Sequence, residues 1–443
     1  MPVRHLLPLL LATPALAQAN FHGLGQLPNT NLYSEGYGVS GNGAMGVGGS
    51  IVGGSGFSQL YAAFASDDSG IYPIYDDHAD GVSIVARAAS YSGQTIVGYS
   101  DHGAFSPEGV QAFIWTFSSG PVEIGDLPGG VSGVPHSFAR AISDDGAHVA
   151  CIGQSDNGDE SFLYNVEDGS MIPIGDLPGG DFGSYAYGIS RNGTTLVGIS
   201  YSTQGQQAFR WTQATGILPL GFLPTLPTQT LYSTAEAANQ DGSVIVGESS
   251  SQNTGGNGNE AFRWTAAGMQ PLGDLPGAAF QSWAYAVSAD GAIVVGRGSV
   301  PGNCGPFGCG SAGHAFIWDQ ANGMRDLADV LAAQGANVAG WTLTEARAIS
   351  TDGTTIVGIG TNPLGQTEAW IGHIPRTATC GSADFDCNGD TGTDDDITAF
   401  FNCLAGFCPP PPCTSTADFD ADGAVGTDAD IEAFFRVLAG GNC

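Results

Sequence analysis

The sequence predicts an all-β fold, a closed β-propeller of seven four-stranded blades, followed by a small C-terminal module with two helices. Three observations predict it: a repeat that occurs seven times, four short apolar runs within each copy, and complementary incomplete copies at the two ends of the repeat region. Only 12% of the 443 residues are charged, and 69 are glycine. This balance favours short strands and tight turns over long solvated helices.

The repeat is clearest around a tight turn. The best copies read Ala-x-Ala/Gly-Ile/Val-Ser-x-Asp/Asn-Gly and end at Gly146, Gly193, Gly291 and Gly353. Weaker copies end at Gly43, Gly93 and Gly242, so the count is seven. Glycine after Asp or Asn tolerates the positive φ of a two-residue hairpin turn, so each copy predicts two antiparallel strands joined there.

Two further runs complete each copy. The third run contains Ala-Phe-x-Trp, and the fourth ends in Gly-Asp-Leu-Pro, where proline ends a strand because it removes a ladder donor. The last copy stops after its third run at residues 368–374, whereas residues 21–28 resemble an isolated fourth run. Pairing residues 21–27 with the last copy closes the ring and leaves no open sheet edge.

These repeats resemble the HAF family of bacterial extracellular repeats. The resemblance rests on Ala-Phe-x-Trp, on the variant His314-Ala315-Phe316 and on Gly-Asp-Leu-Pro-Gly, and it covers about residues 21–375. The family is defined by its pattern, so the resemblance implies an extracellular repeat domain and no particular activity.

The N-terminus predicts export. Residues 1–19 combine a short positive start, the apolar run 6–12 and small residues at 15–19 that suit signal-peptide cleavage. No later segment approaches the roughly 20 apolar residues of a membrane span. We therefore expect a secreted, monomeric protein whose propeller occupies residues 20–375. The net charge of −32, with arginine as the only strong base, argues against nucleic acid or anionic lipid as a partner.

Residues 376–443 predict a calcium-binding module. Two stretches 34 residues apart, beginning at Asp384 and Asp418, fit the loop pattern D-x-[DN]-x-[DN]-G, in which alternate oxygens converge on a hard cation. The candidate ligands are Asp384, Asp386, Asn388, the Asp390 carbonyl, Asp394, Asp395 and Asp396 in the first loop, and Asp418, Asp420, Asp422, the Ala424 carbonyl, Asp428 and Asp430 in the second. We expect two calcium ions.

The sequence leaves two alternatives for the acid that provides the closing ligand of each calcium loop. Position 12 is Asp395 in the first loop but Ala429 in the second, and both loops have acids at positions 11 and 13. The competing interpretation makes Asp396 and Asp430 helix N-terminal acids, each three residues after a capping threonine.

Each loop runs into a short amphipathic helix with apolar residues at i, i+3, i+4 and i+7, beginning at Ile397 and Ile431. A loop followed by a helix, present twice, resembles a dockerin over about residues 380–443. The resemblance implies anchoring to a cohesin-like receptor. The six cysteines of this region are a departure from ordinary dockerins, so a different surface receptor is an alternative partner.

The cysteines predict disulfides, because the chain is exported. From the duplication we expect Cys380–Cys408, Cys413–Cys443 and Cys387–Cys403, one of about 15 connectivities. Cys304 and Cys309 are expected to staple an inserted loop, and Cys151 to be a buried apolar residue.

The sequence contains no recognisable catalytic motif, and no catalytic residue is assigned. Phe138, Tyr185 and Trp283 hold equivalent positions before the first strand of their copies, where they could stack on a carbohydrate or peptide in the channel. The leading hypothesis is a non-catalytic binding scaffold anchored by the calcium module. The alternatives are a polysaccharide lyase or hydrolase with acids assembled in the channel, and a purely structural exoprotein.

Overall fold

The computed structural model describes residues 18–28, 33–53, 59–67, 70–75, 81–103, 106, 108–130, 134–255, 258–305, 308–375, 383, 385–386, 392–409, 416–419 and 425–438. The chain forms seven antiparallel four-stranded sheets, which confirms the predicted seven-bladed propeller. Within six blades the strands follow each other in chain order from the channel outwards.

The first three blades are continuous in sequence. Blade I has β2 (Ser34–Val39), β3 (Gly46–Gly53), β4 (Leu60–Asp67) and β5 (Gly70–Tyr75). Blade II has β6 (Ser83–Ala89), β7 (Thr95–Asp101), β8 (Val110–Thr116) and β9 (Gly120–Glu123). Blade III has β10 (Phe138–Ile142), β11 (His148–Ser155), β12 (Gly158–Asn165) and β13 (Met171–Pro173).

The next three blades follow the same plan. Blade IV has β14 (Gly179–Ile189), β15 (Thr195–Ser202), β16 (Gly205–Thr212) and β17 (Gly216–Gly221). Blade V has β18 (Ser233–Ala238), β19 (Ile245–Ser250), β20 (Asn259–Thr265) and β21 (Gly268–Gly273). Blade VI has β22 (Ser282–Val287), β23 (Ile293–Gly305), β24 (Gly308–Asp319) and β25 (Gly323–Asp326).

Blade VII joins the two ends of the repeat region. Its strands are β26 (Thr342–Ile349), β27 (Thr355–Thr361), β28 (Thr367–His373) and β1 (Asn20–Gly25). β1 pairs with β28 in antiparallel register from Asn20↔His373 to Gly25↔Ala369. The N-terminal strand therefore closes the ring, as the sequence predicts.

The Ala-Phe pair of the third strand builds the core and the contact between blades. The aromatic residue is almost completely buried in every blade, as Phe64, Phe113, Phe162, Phe209, Phe262, Phe316 and Trp370. In blades II, IV, V and VII the alanine N–H donates to a serine Oγ of the next blade, for example Ala208 to Ser233 at 2.9 Å and Ala261 to Ser282 at 3.0 Å. The serine satisfies a buried backbone donor, so the repeat keeps both residues.

The first hairpin turns form a continuous ring of backbone hydrogen bonds. In each blade the glycine of the turn has a φ between 69° and 75°, as the hairpin prediction requires. The residue after the turn serine donates its N–H to the next blade, as in Tyr91 to Asp144 O and Asp144 to Arg191 O, both 2.8 Å. The last such bond, Thr351 to Gly41 O at 2.8 Å, returns to blade I.

Three helices complete the described part of the chain. α1 (Leu327–Ala333) follows blade VI and was not anticipated; it buries Leu327, Val330 and Leu331 in a cluster that includes Trp370. α2 (Asp394–Leu404) and α3 (Asp428–Leu438) share a core of Phe385, Phe400, Phe419 and Phe434. No helix among the described residues has the length and apolar character needed to cross a membrane.

Candidate functional site

The channel is lined by one side chain from the innermost strand of each blade. These seven residues are Tyr37, Arg87, Arg140, Tyr187, Glu236, Tyr285 and Arg347, here called the channel ring. Each occupies the middle position of the repeat Ala/Gly-x-Ala/Gly. The repeat therefore keeps its small residues in place and varies the side chain that faces the lumen.

A β-bulge sets the direction of each ring side chain. The strand register skips Tyr187, because Ala186 pairs with Gly198 and Gly188 pairs with the adjacent Val197. The same skip falls on the ring residue of all seven inner strands. A bulge leaves one residue unpaired and re-aims its side chain, so the fold presents seven side chains to the lumen.

Aromatic rings cover the guanidinium faces of the ring. Arg87 lies over Tyr37 with 4.5 Å from its guanidinium carbon to the ring centroid, Arg347 lies over Tyr285 at 4.4 Å, and Arg140 lies over Tyr187 at 5.2 Å. Arg347 also forms an ion pair with Glu345. A guanidinium nitrogen of Arg297 lies 3.0 Å from the other oxygen of the same carboxylate. Among the described residues, no carboxylate oxygen lies within 4 Å of Arg87 or Arg140.

The one acid of the ring, Glu236, lies on blade V, close to a second buried acid. Burial raises the pKa of Glu236, although Arg140, Arg347 and Arg87 oppose the shift. Glu248 on β19 is 9% exposed, and its Oε2 has no hydrogen-bond partner among the described residues. Burial, followed by the charge of Glu236, raises the pKa of Glu248 well above its usual range. Both causes favour the protonated form of Glu248.

The channel is narrow. The cavity at the ring measures about 100 Å³, and the cavity that continues towards the turn end measures about 160 Å³. Arg191 crosses this second cavity and donates to the Ile349 carbonyl at 2.8 Å and to the Thr351 hydroxyl at 3.1 Å. It also forms an ion pair with Asp144 at 3.3 Å. Arg191 links blade IV to blade VII and obstructs the turn end of the channel.

The aromatic platform expected from the sequence is placed differently. Phe138, Tyr185 and Trp283 lie on the inner strands, two residues before the ring, and not ahead of them. The Tyr185 hydroxyl donates to Asp159 Oδ2 at 2.7 Å, and the guanidinium of Arg297 lies 5.3 Å from the Trp283 ring. Phe138 contacts Tyr99 with ring centroids 5.0 Å apart. These residues form contacts at the mouth, and the ring beyond them lines the lumen.

The repeated acid in Gly-Asp-Leu-Pro connects neighbouring blades. Asp126 accepts hydrogen bonds from the His136 amide and the Gln154 amide, both at 2.9 Å. Asp274 accepts from Gln281 at 2.7 Å and Ser299 at 2.9 Å in the same way. These two acids therefore have the structural role that their periodicity indicates.

The two-helix module gives Asp396 and Asp430 a capping role. Thr393 and Asp396 form a capping box at the start of α2. Asp396 Oδ1 accepts from the Phe385 amide at 2.8 Å, and Oδ2 accepts from the Thr393 amide at 2.8 Å. Asp430 repeats this pattern, with Phe419 at 2.6 Å and Thr427 at 2.7 Å. Asp396 and Asp430, at position 13 of their loops, are therefore helix N-terminal acids, as the competing interpretation states.

The other calcium candidates are only partly described. Asp394 and Asp395 are exposed, and Asp386 and Asp418 are partly buried. Asp428 begins α3. Outside the described residues lie Asp384, Asn388, Asp390, Asp420, Asp422 and Ala424. No group of three potential ligands occurs among the residues that are described.

The predicted disulfide scheme needs a correction. Cys403 pairs with Cys408, with 3.9 Å between their Cα atoms, so neither Cys387–Cys403 nor Cys380–Cys408 forms. The reason is local: α2 ends at Leu404, and Gly406 at φ 89° turns the chain back along the helix. Cys380, Cys387, Cys413 and Cys443 lie outside the described residues. Strand register places Cys304 opposite Cys309, and the disulfide between them stays a prediction. Cys151 is buried and unpaired, as expected.

The ring is the functional feature that sequence reasoning missed. The repeats Ala139-Arg140-Ala141, Ala186-Tyr187-Gly188 and Ala284-Tyr285-Ala286 already show one variable position between constant small residues. Strict alternation along a strand predicts that such a position shares the environment of its neighbours two residues away. The bulge breaks that alternation, and only the strand pairing reveals it.

Comparisons with known proteins give fold-level likenesses alone. No family model matches the chain, and no curated protein matches it. TolB from Acinetobacter baumannii is similar at TM-score 0.40 and 12% identity, over 74% of this chain and 80% of that one. A puromycin hydrolase mutant reaches TM-score 0.48 and 13% identity, over 78% and 54%. An oligogalacturonate lyase in complex with manganese reaches 0.34 and 12%, over 82% and 99%. None of these likenesses identifies what this chain binds or catalyses.

Proposed function

We propose that this protein is an exported, non-catalytic binding protein that recognises a ligand in the propeller channel and is anchored through its C-terminal module. The observation that carries the proposal is the channel ring. Seven inner strands share a bulge at a repeat position whose side chain varies between blades. A scaffold that holds constant residues around a variable, lumen-facing position suits recognition.

Anchoring is supported by an exposed aromatic pair. Phe401 on α2 and Phe435 on α3 are 45% and 44% exposed, and their ring centroids lie 6.3 Å apart. They hold equivalent positions in the duplicated helices. Exposed aromatic residues of this kind suit a protein interface, so we propose that this face contacts a cohesin-like or other surface receptor.

Calcium is proposed to organise the two loops that precede α2 and α3. The capping acids Asp396 and Asp430 use their oxygens on backbone amides and threonine hydroxyls. Position 12 of the first loop, Asp395, and the position 11 acids Asp394 and Asp428 are then the candidates for the closing ligands. Like charges within an acidic loop repel each other, and a bound divalent cation reduces this repulsion.

The anchoring proposal can be tested on the intact protein, because the two parts have separate signals. All seven tryptophans lie between residues 115 and 370, and residues 376–443 contain neither Trp nor Tyr. EDTA should reduce helical circular dichroism and abolish attachment to the producing cell surface, while tryptophan fluorescence stays native. Asp386→Ala and Asp418→Ala should each weaken calcium binding in calorimetry, and the exposed propeller variant Asp168→Ala should not. Unchanged attachment in EDTA would contradict the proposal.

The second candidate function is a polysaccharide-degrading enzyme. Glu236 lines the lumen and has a raised pKa, which favours this function because a protonated carboxyl group can act as a general acid. Glycan binding compared with turnover of the same glycans separates the two functions. Turnover that Glu236→Gln abolishes while binding persists would favour the enzyme.

A further inference from the structure

The channel ring has a positive side formed by two arginines that have no carboxylate within 4 Å among the described residues. Arg87 and Arg140 come from adjacent blades II and III, and no carboxylate among the described residues pairs with either. Tyr37 and Tyr187 cover one face of each guanidinium group. An arginine stacked in this way keeps its N–H edge available for acceptors that lie in the guanidinium plane.

The closeness of the two arginines is unfavourable in the empty channel. Burial, followed by the charge of Arg140, lowers the pKa of Arg87 to about 10. The ring as a whole carries three arginines against one glutamate. This excess is notable in a chain with a net charge of −32 and only eleven basic residues. An oxyanion between Arg87 and Arg140 would replace like-charge repulsion with charge-assisted hydrogen bonds.

The opposite side of the ring offers partners for hydroxyl groups. Glu236 lines the ring and has no ion-pair partner within 4 Å among the described residues. Burial raises the pKa of Tyr285, so this phenol stays protonated. Carboxyl and phenol groups both accept from and donate to hydroxyls.

The dimensions restrict what can enter. The ring cavity of about 100 Å³ is large enough for one small polar group, and Arg191 obstructs the far end. A polymer cannot thread through the channel, whereas a free small molecule or the end of a longer molecule can reach the ring.

We infer that the channel ring binds a small hydroxy-carboxylate, with its carboxylate on Arg87 and Arg140 and its hydroxyl groups on the blade V side. The ligand is either a free sugar acid or the terminal residue of an acidic glycan. This inference rests on the proposed binding role of the channel and names its ligand class.

Calorimetry on the full-length protein tests the inference with four probes: D-galacturonate, D-glucuronate, L-tartrate and trigalacturonate. Neutral D-galactose is the matched control ligand. At least one acid should bind and galactose should not, because only the acids engage the arginine pair. Arg87→Gln and Arg140→Gln should each weaken binding about tenfold or more. Arg263→Gln, a strand arginine outside the channel, should leave the affinity unchanged.

The outcomes separate the inference from the proposed function. Binding of galacturonate identifies a free acid, and binding of trigalacturonate alone identifies a glycan end; both support the inference. Failure of all four acids overturns it without any variant being needed. A different ligand whose binding Arg140→Gln abolishes would keep the proposed function and reject the hydroxy-carboxylate. A ligand indifferent to every ring substitution would reject both.

Discussion

At the scale of single residues, His314 connects blade VI to the helix that follows it. Its Nδ1 lies 2.6 Å from Asp326 Oδ2, while Asp326 Oδ1 accepts from the Ala328 amide at 2.9 Å and caps α1. The pair lines a cleft of about 700 Å³ beside Val330 and Met324. One carboxylate therefore fixes both the helix start and the histidine.

The His314 pair makes stability depend on pH. The hydrogen bond to Asp326 raises the pKa of His314, although burial opposes the shift. The protonated histidine thus contributes stability that is present below its ordinary pKa of about 6.5 and is lost as pH rises through the folded-state pKa. As pH rises through this folded-state pKa, we expect the melting temperature to fall less in His314→Gln than in the unsubstituted protein. A folded-state pKa at or below the ordinary value, measured by NMR titration, would contradict this.

Cys151 is expected to be chemically inert in the folded protein. It is fully buried, and burial, followed by the charge of Asp126, raises the pKa of its thiol well above the usual range. Alkylation requires an accessible thiolate. Iodoacetamide labelling followed by peptide mapping should therefore modify Cys151 only after unfolding. Rapid modification in the native protein would show that blade III opens.

At the scale of elements, the bulge explains a glycine in the second strand. A Cβ on Gly198 would lie 1.9 Å from the Tyr185 carbonyl oxygen, and one on Gly98 would lie 2.0 Å from that of Val85. In blade III the same repeat position is Cys151, opposite Ala139. Six of the seven blades therefore have a glycine under this constraint, and blade III tolerates a side chain.

This difference provides a matched pair of substitutions. Gly198→Ala should destabilise the propeller by about 1–3 kcal/mol, because the new methyl group must displace backbone. Cys151→Ala, at the same position of blade III, should cost less, because a Cβ is already accommodated there. Chemical denaturation followed by tryptophan fluorescence measures both. Equal losses would show that the bulge does not impose the glycine.

The capping boxes are expected to stabilise the two-helix module. Thr393→Ala removes the hydroxyl that accepts from the Asp396 amide and contacts its carboxylate. Loss of an N-cap typically costs about 0.5–2 kcal/mol. Helical circular dichroism should show a lower melting temperature for the module, while the tryptophan signal of the propeller stays unchanged. Thr416→Ala, a threonine outside both boxes, is the control.

At the scale of the whole molecule, the sequence predicts the features that recur from one repeat to the next. The seven turns, the buried Ala-Phe pair and the closing strand follow from patterns of residue type. The channel ring could not be predicted in this way, because the bulge shifts Arg140 and its equivalents out of strict alternation. α1 was missed because its seven residues are too few for a clear helical period. The Cys403–Cys408 pair was missed because it breaks the duplication on which the disulfide prediction relied.

Ring closure by β1 should control the stability of the whole propeller. Blade VII consists of three strands from one end of the repeat region and one from the other, so loss of β1 would expose the outer edge of β28. The N-terminal segment is also held at α1, where Gln18 donates to the Gly335 carbonyl at 2.9 Å. A covalent link across β1 and β28 should therefore oppose unfolding of the entire ring.

Asn20→Cys combined with His373→Cys tests this, because the two residues are direct partners in the β1–β28 register. The link would close a loop of 353 residues, from 373 minus 20, and chain entropy sets an upper limit of about 6 kcal/mol for its effect. The oxidised double variant should melt at a higher temperature than either single variant by tryptophan fluorescence. If the bond forms and the melting temperature does not change, unfolding begins at another blade junction, and closure by β1 does not limit stability.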